Sequence, residues 1–179
     1  MAKELWDAYD KEGTPLGFDL VRGEPVPEGV YHLVVEVLAV TNDGRVLLTK
    51  RHPDKAWGGC WEYTGGSAVK GETPVEGALR ELREETGIAV SAQDLHPVYV
   101  DAWLGMTGMG SAIYHSFVVF FDPSEQVIRL QEGETMDHKL LSYEAFKEFL
   151  LEDRFVDVVR RRFLDHQEDF DRIIAEHFK

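Results

Sequence analysis

The 179-residue sequence has few of the features of exported, membrane-spanning or polynucleotide-binding proteins. Its one cysteine, Cys60, has no partner for a disulfide within the chain, which excludes a disulfide-stapled extracellular fold. No stretch approaches the ~20 apolar residues that span a bilayer, and the N-terminal residues lack the apolar core of a secretory signal. We therefore expect a cytoplasmic protein with no membrane partner.

Basic residues are also scarce. The 19 Lys and Arg face 33 Asp and Glu, and the formal net charge is −14. This balance argues against a nucleic acid polymer as partner, because such binding depends on cations that neutralise phosphates. A small phosphorylated ligand remains compatible, since a metal ion held by carboxylates can bridge an acidic site to an anionic substrate.

The order of apolar runs predicts an α+β fold in one domain, residues 1–179. A β-hairpin extension is expected at about 4–22 and a C-terminal helical extension at about 143–179. Strands are predicted at 31–40, 46–49, 61–64, 97–104, 114–121, 127–130 and 139–141. Helices are predicted at 143–151, 154–164 and 166–177. The glycine- and methionine-rich stretch 105–110 predicts a flexible loop.

One further helix is predicted with both ends defined. Thr73 and Glu76 form a potential capping box, and Pro74 occupies the first helical position, where a missing N–H is tolerated. Gly87 follows the last turn, where a left-handed residue is favoured. The sequence therefore predicts a helix from Pro74 to the residue before Gly87.

Three glutamates of this helix, Glu81, Glu84 and Glu85, fall on one face. Like charges at this spacing destabilise a helix by about 0.2–0.5 kcal/mol per pair, and acidic groups near a C-terminus oppose the macrodipole. A hard divalent cation such as Mg²⁺, which takes oxygen ligands, would reverse that penalty. The alternative is a solvated acidic face, which is common in acidic chains.

The spacing around these glutamates is far more specific. Gly66 is followed after five residues by Glu72, and after seven more by the run 80–88, Arg-Glu-Leu-Arg-Glu-Glu-Thr-Gly-Ile. Every fixed position matches the G-x5-E-x7-R-E-U-x-E-E-x-G-U box, in which U is a bulky aliphatic residue. The chain therefore resembles the Nudix hydrolases.

The Nudix resemblance implies an α/β/α sandwich, with a mixed β-sheet flanked by the box helix and the C-terminal helices. It also implies a Mg²⁺ or Mn²⁺ ion and hydrolysis of a nucleoside diphosphate linked to another group, by attack of water on phosphorus. The implied metal ligands are Glu84, Glu85, Glu81 and the carbonyl of Gly66. Glu72 is implied to act through bridging water. A homodimer is possible, as in many family members.

The general base differs among Nudix proteins. A box glutamate is one candidate, and the other is an acidic residue on a later loop, where Glu134 lies at the usual place and Glu132 is nearby. Arg80 is expected to hold the glutamates in place through ion pairs. For a nucleotide-derived substrate we consider Arg51, which could neutralise a diphosphate, and Trp61 and Tyr63, which could pack against it or belong to the core.

A second resemblance covers roughly residues 4–90. The N-terminal hairpin, the His32 strand and the segment 50–61 resemble isopentenyl-diphosphate isomerases and the hydrolases most similar to them. Those isomerases carry a catalytic cysteine, followed two residues later by a metal-binding histidine, just after this segment. Here residues 64–67 are Thr-Gly-Gly-Ser. The sequence thus favours a hydrolase, with an isomerase and a non-catalytic nucleotide-binding module as alternatives.

Overall fold

The computed structural model describes residues 3–105 and 110–179. The strands are β1 Leu5–Tyr9, β2 Pro15–Val21, β3 His32–Thr41, β4 Arg45–Arg51, β5 Trp61–Glu62, β6 Thr64–Ser67, β7 His96–Trp103, β8 Ala112–Phe121 and β9 Thr135–Ser142. The helices are α1 Pro74–Thr86, α2 Tyr143–Phe149, α3 Asp157–Asp165 and α4 Gln167–His177, with a short 3-10 helix at Ala92–Asp94. Within these ranges no helix is long and apolar enough to cross a membrane.

The main sheet is mixed, as the sequence predicts. Its central path runs β5-β4-β3-β8-β7; β6 pairs with β3, and β9 pairs with β4. The central pair β3 and β8 is parallel, and the other pairings are antiparallel. The glycine-rich strand β6 leads directly towards α1, so the sheet fixes the start of the box relative to its helix.

Alternation along β3 explains why helices cover both faces of this sheet. Val35, Val37 and Ala39 pack with Ala78 and Leu82 of α1 in one core cluster. Their neighbours Leu38 and Val40 face the other way and join a second cluster built on α2, α3 and α4. Because side chains alternate between faces, Glu36 must lie on the side of the C-terminal helices. The result is the predicted α/β/α sandwich.

The N-terminal hairpin forms its own two-stranded sheet and is tied to the loop that precedes α1. The Lys70 N–H donates to the Leu5 carbonyl at 2.8 Å, and the Gly71 N–H donates to the Asp7 carboxylate at 2.6 Å. The Trp6 ring stacks on the ring of His32, with centroids 4.2 Å apart. The hairpin therefore has a fixed position beside the box.

One strand prediction is wrong. Residues 127–130 are not in a strand, and the side chain of Val127 is exposed. Instead, the Arg129 N–H donates to the Thr86 carbonyl at 2.7 Å, so this stretch pairs with the end of α1 rather than with a sheet. Of the loop predicted at 105–110, residues 106–109 lie outside the described residues.

Candidate active site

The helix α1 begins and ends as the sequence predicts. The Thr73 side chain accepts from the Glu76 N–H, and the Glu76 carboxylate accepts from the Thr73 N–H, which completes the capping box. Pro74 lies in the first turn, and Gly87 has a φ of 76°, in the left-handed region. These ends fix where each box glutamate lies along the helix.

Arg80 holds three box glutamates at once. Its Nε and Nη2 donate to the two carboxylate oxygens of Glu72 at 2.7 and 2.9 Å. Its Nη1 lies 2.8 Å from Glu81 and 3.1 Å from Glu84. Nη2 also donates to the Ser67 carbonyl at 3.0 Å, which joins the helix to strand β6. This ion-pair network offsets the repulsion among the glutamates.

Glu85 is the box glutamate that this network leaves out. It is buried, and its Oε2 has no hydrogen-bond partner within the described part of the chain. Burial, with the nearby charges of Glu62 and Glu81, raises the pKa of the Glu85 carboxyl well above its usual value. Burying a carboxylate oxygen without a partner is expensive, so this atom is suited to a bound cation.

Gly66 and Glu81 lie in direct contact. A Cβ built on Gly66 would overlap the Glu81 carboxylate, so the backbone there must be glycine for the two groups to meet. Burial raises the pKa of the Glu81 carboxyl, and the Arg80 guanidinium opposes that rise. Oxygen donors from Gly66, Glu81 and Glu85 are of the kind that Mg²⁺ and Mn²⁺ prefer.

These oxygen donors are of the chemical type that a divalent ion binds, although they do not surround one common point. Among residues 3–105 and 110–179, no group of three or more His, Cys, Asp or Glu side chains is already arranged to hold a metal. The ion pairs of Arg80 account for this arrangement, because they hold Glu81 and Glu84 on the guanidinium.

A cavity of about 810 Å³ opens beside this cluster. Strand β6 and its flanks supply one side, the segment 22–26 after the hairpin supplies another, and the start of α3 closes a third. The residues that connect the cavity to the box are Glu62, Gly65, Gly66 and Ser67. Trp57 also lines it, with a φ of 53°, a left-handed conformation that is uncommon for a large side chain.

A buried ion pair lies in the cavity wall. Arg162 on α3 donates to the Glu36 carboxylate through Nε at 3.1 Å and also through Nη2. The Tyr99 hydroxyl donates to the same carboxylate at 2.6 Å. The Arg162 guanidinium lies 3.8 Å from the ring centroid of Tyr114, in a cation–π contact. A buried charge pair must be well hydrogen-bonded to persist, and this one is.

A second ion pair joins two cavity residues, the partly buried Arg51 and the buried Glu62. Burial raises the pKa of the Glu62 carboxyl to about 7, against the lowering effect of the Arg51 guanidinium. Arg51 also donates from Nε to the Ala56 carbonyl at 2.6 Å. Arg51, predicted from the sequence as a substrate ligand, therefore lies at the cavity with its charge already paired.

The other predicted residues lie in different places. Tyr63 lines the cavity. Trp61 lies outside its lining and packs edge-on against Phe149, with Lys139 above its ring. Glu134 precedes β9 and is paired with Lys55, and neither residue lines the cavity. The structure thus brings the box, Arg51 and Tyr63 together and places Trp61 and Glu134 outside the cavity.

Sequence reasoning missed the three buried charged residues that line the cavity, Glu36, Glu62 and Arg162. A signal for Glu36 is present in the sequence, since it is a lone acid within the apolar run 33–40 and such a residue needs a buried partner. Glu62 is likewise a lone acid between two large aromatic residues, Trp61 and Tyr63. Nothing comparable distinguishes Arg162 from the two arginines before it.

Comparison with known proteins points to one family, in agreement with the sequence motif. A family model for the NUDIX domain matches residues 30–165. An uncharacterised Nudix hydrolase from Listeria monocytogenes is 38% identical over 89 residues, which are 49% of this chain and 53% of that protein. The chain spans about half the length of the Listeria relatives that it matches.

Two solved structures share the fold. DR0079 from Deinococcus radiodurans has a TM-score of 0.68 and 20% identity, with 89% of this chain and 98% of that chain covered. A bifunctional NMN adenylyltransferase/ADP ribose pyrophosphatase from Francisella tularensis, complexed with AMP and a manganese ion, has a TM-score of 0.60 and 23% identity. That match covers 82% of this chain and 42% of the other. At such identities the likeness establishes the fold alone.

Proposed function

Because the chain belongs to the Nudix family, we propose that it is a divalent-metal-dependent hydrolase that cleaves a diphosphate bond in a nucleotide-derived substrate. The observation that carries the proposal is Glu85, a buried carboxylate with an unpartnered oxygen, on a helix whose Gly66–Glu81 contact borders the cavity. A buried carboxylate oxygen without a partner calls for an explanation, and a bound cation supplies one.

In this proposal Glu85, Glu81, Glu84 and the Gly66 carbonyl hold Mg²⁺ or Mn²⁺. A bound ion of this kind polarises a phosphoryl oxygen and lowers the pKa of a coordinated water. Arg80 positions the glutamates. When the metal ion binds, Glu81 and Glu84 would exchange their ion pairs with Arg80 for contacts to the ion. The general base is either a box glutamate or Glu134, which lies on the loop before β9.

The cavity supports a substrate with a diphosphate and a further group. Its volume of about 810 Å³ suits a small organic molecule, and Gly66, one of the proposed metal ligands, lies in its lining together with Ser67. Arg51 is one of the arginines that line the cavity, and Trp57 and Tyr114 offer aromatic surfaces. The manganese ion and AMP in the Francisella protein are consistent with this substrate class.

An isomerase is the less favoured alternative. The positions that would carry its cysteine and histidine are in strand β6, Thr64–Ser67, where Gly65 and Gly66 pair with β3. His32 stacks on Trp6, its Nδ1 lies 3.1 Å from the Ser111 carbonyl, and burial lowers its pKa to about 4. These contacts support a structural role for His32.

The test is hydrolysis with Mg²⁺ across nucleotide sugars, dinucleotides, nucleoside triphosphates, coenzyme A and isopentenyl diphosphate. We expect phosphate or monophosphate release from at least one, and a loss of at least 100-fold in Glu85→Gln and Glu84→Gln. Glu148→Gln, on the exposed face of α2, is the matched control and should keep full activity. Full activity in both box variants would refute the metal assignment, and tight binding without turnover would favour a binding module.

A further inference from the structure

A second cavity, of about 660 Å³, lies on the side of the sheet that α1 covers. It is lined from β3 by Leu33, which is on the same face of that strand as Val37 of the α1 core cluster. We call it the hairpin pocket, because the tip of the N-terminal hairpin, residues 11–13, forms one wall. Its lining shares no residue with the cavity of the candidate active site.

The floor of the hairpin pocket is apolar and incompletely covered. Leu33 and Ile113 are buried there, whereas Val100 on the edge strand β7 is 59% exposed. Because α1 packs mainly on β3 and β6, this end of β7 and β8 keeps an apolar surface open to solvent. An apolar surface that is both exposed and concave is typical of a binding site for a small molecule.

Two side chains of the lining, His115 and Tyr9, offer hydrogen bonds that the described residues do not use. Both are partly exposed, and neither contributes to the fully buried polar atoms that lack a partner, so their polar atoms are open to solvent. Burial lowers the pKa of the His115 imidazole, so at pH 7 the ring is neutral and can both donate and accept. Burial and the charge of Asp7 raise the pKa of the Tyr9 phenol, which stays protonated.

The charges around the hairpin pocket favour a cation over an anion. Asp7 and Glu12 line it without an ion pair to any residue that the structure describes, and Lys11 is the one lysine in the lining. Glu72 also lines the pocket, but Arg80 already pairs with its carboxylate. The local balance is therefore negative, as is the net charge of the whole chain, and both attract cations.

We propose that the hairpin pocket is a second ligand site, which binds a small aromatic molecule that carries a positive charge. The flat ring covers the apolar floor and hydrogen-bonds His115, and the cationic group lies towards Asp7 and Glu12. An anionic nucleotide would meet like charges at the same place and is disfavoured. The inference goes beyond the proposed hydrolase function. Because the two linings share no residue, binding here is measured without metal and without a substrate.

The first test compares tryptamine and indole-3-propionate, two probes that share an indole ring and differ in charge. NMR follows the ring-proton signal of His115, which is identified by its loss in His115→Gln. Tryptamine should shift this signal saturably, with a Kd of about 1 mM. Indole-3-propionate should bind about tenfold more weakly. No shift with tryptamine, or indole-3-propionate binding at least as tightly as tryptamine, would overturn the inference.

The second test changes the floor and the rim separately. Val100→Arg places a charge on the apolar floor and should weaken tryptamine binding at least about tenfold. Val127→Arg makes the same change at a side chain that is 70% exposed and outside the lining, and should leave the Kd unchanged. Glu12→Gln, at the exposed hairpin tip, should weaken tryptamine binding about threefold without weakening that of indole-3-propionate. A wild-type Kd in both Val100→Arg and Glu12→Gln would overturn the inference.

The third test separates a ligand site from a contact between two copies of the chain. An exposed apolar side chain on an edge strand, such as Val100, is also a common element of a dimer interface. Sedimentation velocity should give the same mass for the wild type and for Val100→Arg. A wild-type dimer that Val100→Arg dissociates would show that this face joins two copies, which would overturn the inference.

Discussion

Arg80 binds Glu72 through two parallel hydrogen bonds, from Nε at 2.7 Å and from Nη2 at 2.9 Å. The same Glu72 carboxylate accepts from the Val69 N–H at 2.9 Å. Although burial raises the pKa of the Glu72 carboxyl, the bonds from Arg80 and Val69 leave it lowered, so it stays ionised. Glu72 thus joins the loop before α1 to the middle of that helix.

We expect Arg80→Lys to weaken metal use without unfolding the protein. Lysine keeps the charge but cannot bind Glu72 bidentately while reaching Glu81 and Glu84. Groups that orient metal ligands typically contribute about 10–100-fold to metal affinity. The Mg²⁺ concentration for half-maximal hydrolysis should rise by that factor. Arg83→Lys, on the exposed side of α1, should leave it unchanged, and an unaltered requirement in Arg80→Lys would contradict the positioning role.

Gly66→Ala should reduce activity while the sheet survives. The new methyl group would overlap the Glu81 carboxylate and displace it from the backbone of β6. We expect a loss of at least tenfold in kcat, because misplacement of a catalytic group by about 1 Å is enough for larger effects. Circular dichroism should show an unchanged fold. Full activity would mean that Glu81 functions elsewhere than against Gly66.

Replacing one partner of the buried Glu36–Arg162 pair should lower the free energy of unfolding more than replacing both partners. Arg162→Met leaves the Glu36 charge buried without its partner and should lower the free energy of unfolding by about 3–5 kcal/mol. The double variant Glu36→Gln/Arg162→Met should recover part of that loss. Urea denaturation measures both, and a double variant as destabilised as the sum of the two single variants would show that the pair is not coupled.

Glu62 should make the metal-free protein less stable as the pH rises. Burial raises its pKa from 4.5 to about 7, so between these values the folded protein keeps a proton that the unfolded chain releases. Raising the pH through this window therefore favours unfolding. In EDTA, Tm should fall less between pH 5 and pH 7.5 in Glu62→Gln than in the wild type. Equal falls in the two proteins would show that Glu62 titrates normally.

Local sequence signals predicted the box helix well. The capping box of Thr73 and Glu76 and the left-handed Gly87 depend on residues within one turn, so a single sequence contains all the information needed. Runs dense in β-branched, aliphatic and aromatic residues likewise predicted β3 and β8. The stretch 127–130 misled because its backbone bonds the end of α1, from the Arg129 N–H to the Thr86 carbonyl, a contact that local periodicity cannot distinguish from sheet pairing.

The cavity was less predictable, because its most buried ion pair joins distant parts of the chain. Glu36 and Arg162 are separated by 126 residues, and only the packing of α3 on the sheet brings them together. Tyr63 was also difficult to predict, because its neighbours in the sequence suggest an aromatic contact rather than a hydroxyl without a partner. Without homologous sequences, no covariation between such positions is visible in one chain.

The bonds between the hairpin and the loop at Lys70 and Gly71 have a consequence for where the chain can be shortened. The matched family region begins at residue 30, but the backbone N–H groups of Lys70 and Gly71 find their acceptors on β1. A chain trimmed to that boundary would lose these acceptors together with the segment 22–26 that walls the cavity. We therefore expect the smallest stable unit that keeps the cavity to include the hairpin, beyond the limits of the matched family region.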